Sequence, residues 1–67
     1  MKIILNNRPV NFNADTLSIS DIIQQKNFTF KLLVTKINGE LIKKENRGMA
    51  FAKDGDNVLI LHLISGG

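Results

Sequence analysis

A small α+β domain is the fold class this sequence predicts: one helix packed across a mixed four- to five-stranded sheet, in the order β-β-α-β-β-β. Three observations predict it. Only "SISDIIQQKN" spaces its apolar residues as a helix does. "MKIIL", "KLLVTKI" and "NVLILHLI" are runs rich in strand-forming residues. The stretches between them, "NNRP", "NG" and "KDGD", are tight-turn chemistry. At 67 residues the chain makes one domain, near the size below which a single core no longer holds without staples.

"MKIIL" reads as the first strand, with Met1, Ile3 and Leu5 on one face. "NNRP" then turns, because asparagine tolerates unusual backbone angles, and "VNF" returns as a short antiparallel second strand. In the helix, Ile19, Ile22 and Ile23 share a face while Gln24, Gln25 and Lys26 meet solvent. Ser18 caps it with Asp21 three residues on, a short-armed capping box; Ser20 is an alternative cap. Two to three turns are marginal alone, so the helix must lean on the sheet. "KLLVTKI" is the third strand, and Asn38-Gly39 is the strongest hairpin signal in the chain, with "LI" as a brief fourth strand after it. "KKENRGMAFA" reads as irregular with room for one helical turn. "KDGD" launches "NVLILHLI", the last strand.

Composition excludes several classes of function. The chain has no cysteine, so disulfides, thiolate metal sites and cysteine nucleophiles are ruled out; a single histidine makes zinc a poor fit. The net charge of +3 comes from basic residues scattered along the chain, with Lys43-Lys44 the one adjacent pair and no aromatic residues interleaved to stack bases. No nucleic-acid or membrane partner is expected. With no stretch approaching a membrane span, the protein reads as soluble and cytoplasmic. His62 has no serine or carboxylate at a spacing that implies a catalytic partner, and Asp15, Asp21, Asp54 and Asp56 have ready roles in loops, caps and turns. No enzyme is expected.

The last strand is apolar on both faces. Val58, Ile60, His62 and Ile64 point one way, Leu59, Leu61 and Leu63 the other. Either both faces are buried, with Met49 and Phe51 covering the second, or Leu59, Leu61, Leu63, Leu32 and Val34 form an exposed partner-binding patch. A chain this short has little material for a second covering layer, which favours the patch. The strand then runs out into "ISGG". Glycine packs poorly and adds backbone entropy in a strand, but Gly66 and Gly67 can thread a narrow channel that other residues cannot.

The element order, the "INGE" turn, the "DGDNVLIL" entry into the last strand and the terminal "ISGG" together resemble the ThiS-type sulfur carriers of the ubiquitin-like β-grasp superfamily. The resemblance covers essentially the whole chain. It implies a β-grasp domain over 1–64 and a flexible Ser-Gly-Gly tail over 65–67. It also implies that the Gly67 carboxylate is adenylated and converted to a thiocarboxylate, with Ser65, Gly66 and Gly67 threading into the partner's active site. The implied partners are an E1-like, ThiF-like adenylating enzyme that uses ATP, a ThiG-like thiazole synthase, and a sulfur donor such as a cysteine desulfurase or sulfurtransferase. The chain itself binds no cofactor and serves as a protein co-substrate in assembling the thiazole ring of thiamine. MoaD-type carriers for molybdopterin, carriers of another thiocarboxylate pathway, non-carrier ubiquitin-like binding modules and protein-modifying ubiquitin-like tags are the alternatives. The absence of proline ahead of the glycines and the short length favour ThiS. "IKK" stands where many of that family have a "VPR"-like stretch, so Lys43 and Lys44 depart from the pattern.

Overall fold

Paired asparagines make the first turn. Strand β1 (Lys2–Leu5) and strand β2 (Arg8–Asn11) are joined by Asn6 and Asn7, at φ 52° and 68°. Two positive φ values in a two-residue loop give the twist an antiparallel hairpin needs. Pro9 sits inside β2, which is tolerated because β2 is an edge strand. These features come from a computed structural model, which describes residues 1–28 and 32–63.

Strand β3 (Thr16–Ser18) runs directly into helix α1 (Ile19–Gln25). The expected capping box is present. The Ser18 hydroxyl accepts from the Asp21 N–H at 3.0 Å, and the Asp21 carboxylate accepts from the Ser18 N–H at 3.3 Å. At the other end, Asn27 takes a left-handed conformation (φ 58°). Its N–H bonds the Gln24 carbonyl and the Phe28 N–H bonds the Ile23 carbonyl, at 3.1 and 2.9 Å. These reverse bonds end the helix and fold Phe28 back toward the core.

Strand β4 (Leu33–Ile37) and strand β5 (Glu40–Ile42) follow, joined by Asn38 and Gly39 at φ 50° and 83°. A 3-10 turn (Lys44–Asn46) leads to strand β6 (Phe51–Lys53), and Gly55 at φ 88° turns the chain into strand β7 (Asn57–His62). The main sheet has the order β2-β1-β7-β4-β5, and β3 pairs with β6 in a second, two-stranded sheet. Strand β7, the last in sequence, lies in the middle, parallel to β1 and antiparallel to β4. The main sheet and its helix keep the β-β-α-β-β-β order. The β3–β6 pair is additional; three-residue strands are too short to display a period of two.

Between sheet and helix lies the core: Ile3 and Leu5 of β1, Ile19 and Ile22 of α1, Ala52 of β6, and Val58 and Ile60 of β7. Each large aliphatic side chain buried here contributes about 1.5–3 kcal/mol. Ala52 explains the second sheet: β6 closes the core beside the start of the helix, where the Ile19 N–H bonds the Ala50 carbonyl at 2.9 Å.

The two sharp turns at one end of the sheet brace each other. Asp56 is buried. Its carboxylate accepts from the Lys53 N–H at 3.0 Å and from the Asn38 amide at 3.1 Å, while the Asn38 carbonyl oxygen of the side chain accepts from the Asn57 N–H at 2.9 Å. The Lys53 backbone donor, reinforced by Asn38 and the Lys53 ammonium, holds the Asp56 carboxyl below the ordinary aspartate value of 3.8 against the opposing effect of burial. A lowered folded-state value means that the stabilisation is present above the unfolded value and is lost as pH falls through the folded one. Asp56→Asn is therefore expected to lower Tm at neutral pH and to lose less further Tm on acidification below about pH 4 than the wild type. Thermal melts across pH check this; parallel acid limbs for the two proteins would exclude the role.

Candidate functional site

The side of the sheet away from the helix is built by alternation. Val58 and Ile60 face the core, so Leu59 and Leu61 must face outward. Across the β4–β7 pairing, Val34 stands opposite Leu61 and Lys36 opposite Leu59; Leu63 donates its N–H to the Leu32 carbonyl at 3.0 Å. Leu32, Leu61 and Leu63 are 50%, 46% and 50% exposed, while Leu59 and Val34 are half-buried. All five candidate surface residues thus share one face and form cross-strand neighbours. Two more residues join them that the sequence reading left out: Leu41, 57% exposed and opposite Lys36, and the half-buried Ile4 on β1. Leu41 belongs to a strand too short to assign a face from sequence, and only the β4–β5 register reveals it.

The chain between β5 and β6 does not cover this face. Arg47 donates through Nε to the Thr35 hydroxyl at 3.2 Å and through Nη2 to the Leu33 carbonyl at 2.6 Å. Thr35 is fully buried on the core side, so the segment is tied to the helix side of the sheet. Met49 and Phe51, the residues expected to cover a buried second face, are themselves 73% and 56% exposed. No spacing signal in the sequence marks Arg47 for this role.

One residue holds the end of the last strand. Strand β1 turns away after Leu5, which would leave Ile60 of β7 without a partner on that side. The Asn6 side chain takes the place of the missing strand, accepting from the Ile60 N–H at 2.8 Å and donating to the Ile60 carbonyl at 3.1 Å. The Asn6 N–H also bonds the Val58 carbonyl at 3.0 Å. Asn6→Gly keeps the left-handed backbone available while removing the amide. It is expected to cost about 1–3 kcal/mol, because two buried backbone groups lose their partners. Denaturant unfolding and faster exchange of the Ile60 amide check this.

His62 ends β7 in an exposed position, in register with Leu33. Among the described residues, no three His, Cys, Asp or Glu side chains gather to hold a metal, and no helix is long and apolar enough to cross a membrane. Ser65, Gly66 and Gly67 lie outside the described residues.

What decides the family is a match that runs through both bracing turns and on through the terminal glycines: the ThiS family profile fits residues 3–67. The chain belongs to the ThiS family. Among solved structures, it is similar to the crystal structure of a thiamine biosynthesis protein (ThiS) from Geobacter metallireducens. Identity is 25%, both chains are covered in full, and the TM-score is 0.88. It is also similar to the solution structure of a thiamine biosynthesis protein from the same organism, at 25% identity and a TM-score of 0.79, over all of this chain and 88% of that one. No curated protein matches. The fold is thus the ubiquitin-like β-grasp of ThiS proteins. Membership of the family makes this a small sulfur-carrier protein of thiamine biosynthesis and not a catalyst.

Proposed function

We propose that the chain carries sulfur on the C-terminal carboxylate of Gly67, as a thiocarboxylate, and delivers it for the thiazole ring of thiamine. The observation that carries this reading is the family match through Gly66 and Gly67. A carboxylate is a poor acyl donor because its leaving group would be an oxide. Adenylation by an E1-like, ThiF-like partner joins one carboxylate oxygen to the AMP phosphorus as a mixed anhydride and releases pyrophosphate from ATP. The terminal sulfur of a persulfide on the donor then forms the new C–S bond as the C–O bond breaks and AMP leaves. A thiol reductant cleaves the resulting acyl disulfide to free the thiocarboxylate. Ser65, Gly66 and Gly67 are the arm that enters the partner's active site, thin enough to pass where side chains would collide.

Leu32, Val34, Leu59, Leu61 and Leu63 are the surface by which the adenylating enzyme and then the ThiG-like thiazole synthase grip the carrier. In support, three of the five are about half exposed, and all adjoin the strand from which the arm leaves. The function is tested by incubating the protein with a ThiF-like enzyme, ATP, a sulfur donor and a thiol reductant, then measuring intact mass. The expected result is a gain equal to one sulfur-for-oxygen exchange, mapped to Gly67 by fragmentation. An unchanged mass, under conditions that load a known ThiS protein, would sink the reading.

A further inference from the structure

A cleft of about 320 Å³ opens between the end of α1 and the β1–β2 hairpin, lined by Leu5, Asn6, Arg8, Val10, Lys26 and Phe28. It lies apart from the outer face, on the helix side of the sheet: Arg8 and Val10 stand opposite the core residues Leu5 and Ile3. Its volume is at the lower end for small-molecule sites, roughly 300–1,000 Å³. The lining divides by chemistry. Leu5, Val10 and Phe28 are apolar, and Phe28 is placed there by the reversed turn that ends the helix. Arg8 and Lys26 supply two positive charges, no acid is among the described lining residues, and the Lys53–Asp56 ion pair involves neither. Asn6 spends one amide hydrogen on Ile60 and keeps a second. The carbonyls of Ile22, Ile23 and Gln24 at the helix end already accept backbone bonds, which blunts their repulsion of an anion.

We propose that this cleft binds a small amphiphilic anion: a carboxylate or phosphate monoester attached to one aromatic ring or branched chain. The apolar part packs on Leu5, Val10 and Phe28, and the anionic head takes hydrogen bonds from Arg8, Lys26 and the remaining Asn6 donor. Cleft size and the single cationic rim favour such a molecule over an extended acidic peptide, which would need a longer track of charge. Because Asn6 also holds both backbone groups of Ile60, an occupant is felt in the last strand.

The proposal does not depend on the sulfur-carrier reading, and its test requires no partner enzyme. Phenyl phosphate is titrated into the ¹⁵N-labelled full-length protein, with benzoate, inorganic phosphate and benzyl alcohol in parallel. The expected result is saturable amide shifts for phenyl phosphate and benzoate at Asn6, Arg8, Lys26 and Phe28, with a relayed shift at Ile60. Inorganic phosphate and benzyl alcohol each lack half of the recognition and are expected to bind at least about tenfold more weakly. Arg8→Gln and Lys26→Gln, both exposed positions, are expected to weaken phenyl phosphate about threefold to tenfold apiece without changing Tm. Shifts centred on Lys43, Lys44 or Lys53 would overturn the proposal. So would equal binding of inorganic phosphate, indifference to both substitutions in folded protein, or no saturation at millimolar probe.

Discussion

Deletion of Gly67 is expected to abolish sulfur loading while leaving the fold untouched. The core residue nearest the C-terminus among those described is Ile60, and its backbone is held by Asn6 and by β4. Nothing in that arrangement draws on Gly67, so Tm stays within the small range of surface changes, about 0.5 kcal/mol in stability. Activity behaves otherwise. Removing one extended residue withdraws the carboxylate by about 3.5 Å, and a misplacement of about 1 Å at a reacting group can already cost about a hundredfold. The shortened chain should therefore show at least a hundredfold slower adenylation, read by pyrophosphate release and intact mass. A binding module that used only its outer leucines would keep its partner affinity on the same deletion. Wild-type loading of the shortened chain would remove Gly67 from the mechanism.

The second large effect separates apolar residues that hold the fold from apolar residues that serve a partner. Ile22 is fully buried between helix and sheet, and Ile22→Ala is expected to cost about 2–5 kcal/mol through lost transfer energy and the cavity left behind. A domain of this size has in total roughly 3–10 kcal/mol of stability. The variant should be largely unfolded at 37 °C, with a strongly lowered denaturant midpoint. Leu61→Asp makes the opposite expectation. Leu61 is 46% exposed on the outer face, so a charge there keeps its water in the free protein and Tm changes little. In the complex the same charge would be buried in an apolar contact, and affinity for the adenylating enzyme should fall by at least about tenfold. Unfolding titrations and a binding isotherm on the two variants check both halves. If Leu61→Asp bound normally, the outer face would not be the docking surface.

Much of this was legible in the residues, for local reasons. A capping box, an Asn-Gly pair and a Gly in a turn act over three or four positions, so Ser18 with Asp21, Asn38-Gly39 and Asp54-Gly55 could be read directly. Helical spacing placed Ile19 and Ile22 together, and both are fully buried, with Ile23 packed at their edge. What stayed hidden depends on contacts between distant segments. Strands β3 and β6 exist because each finds the other across more than thirty residues, and neither is long enough to announce itself. Asn6 reads as a turn residue, and its second task, holding Ile60, follows only from the parallel β1–β7 pairing. Arg47 looks like one cation among many until β4 supplies the carbonyl it binds. Of the proposed site, the outward leucines of β7 could be picked out by alternation, whereas Leu41 and Ile4 required the register.

The place of β7 has a kinetic consequence. The central strand of the sheet is the last of the seven among the described residues, and its neighbours β1 and β4 do not pair with each other. Until β7 inserts, each hairpin has an open edge and half a core, and the contacts that complete the sheet span more than fifty residues between Leu5 and Val58. Closing so long a loop comes before its reward, so assembly should be slow for the chain's size and all-or-none. The outer face obeys the same logic, since Val34 and Leu61 become neighbours only when β7 is seated. If a partner grips that face as proposed, it would therefore reject a chain that has not finished folding, because the face is incomplete until β7 is seated.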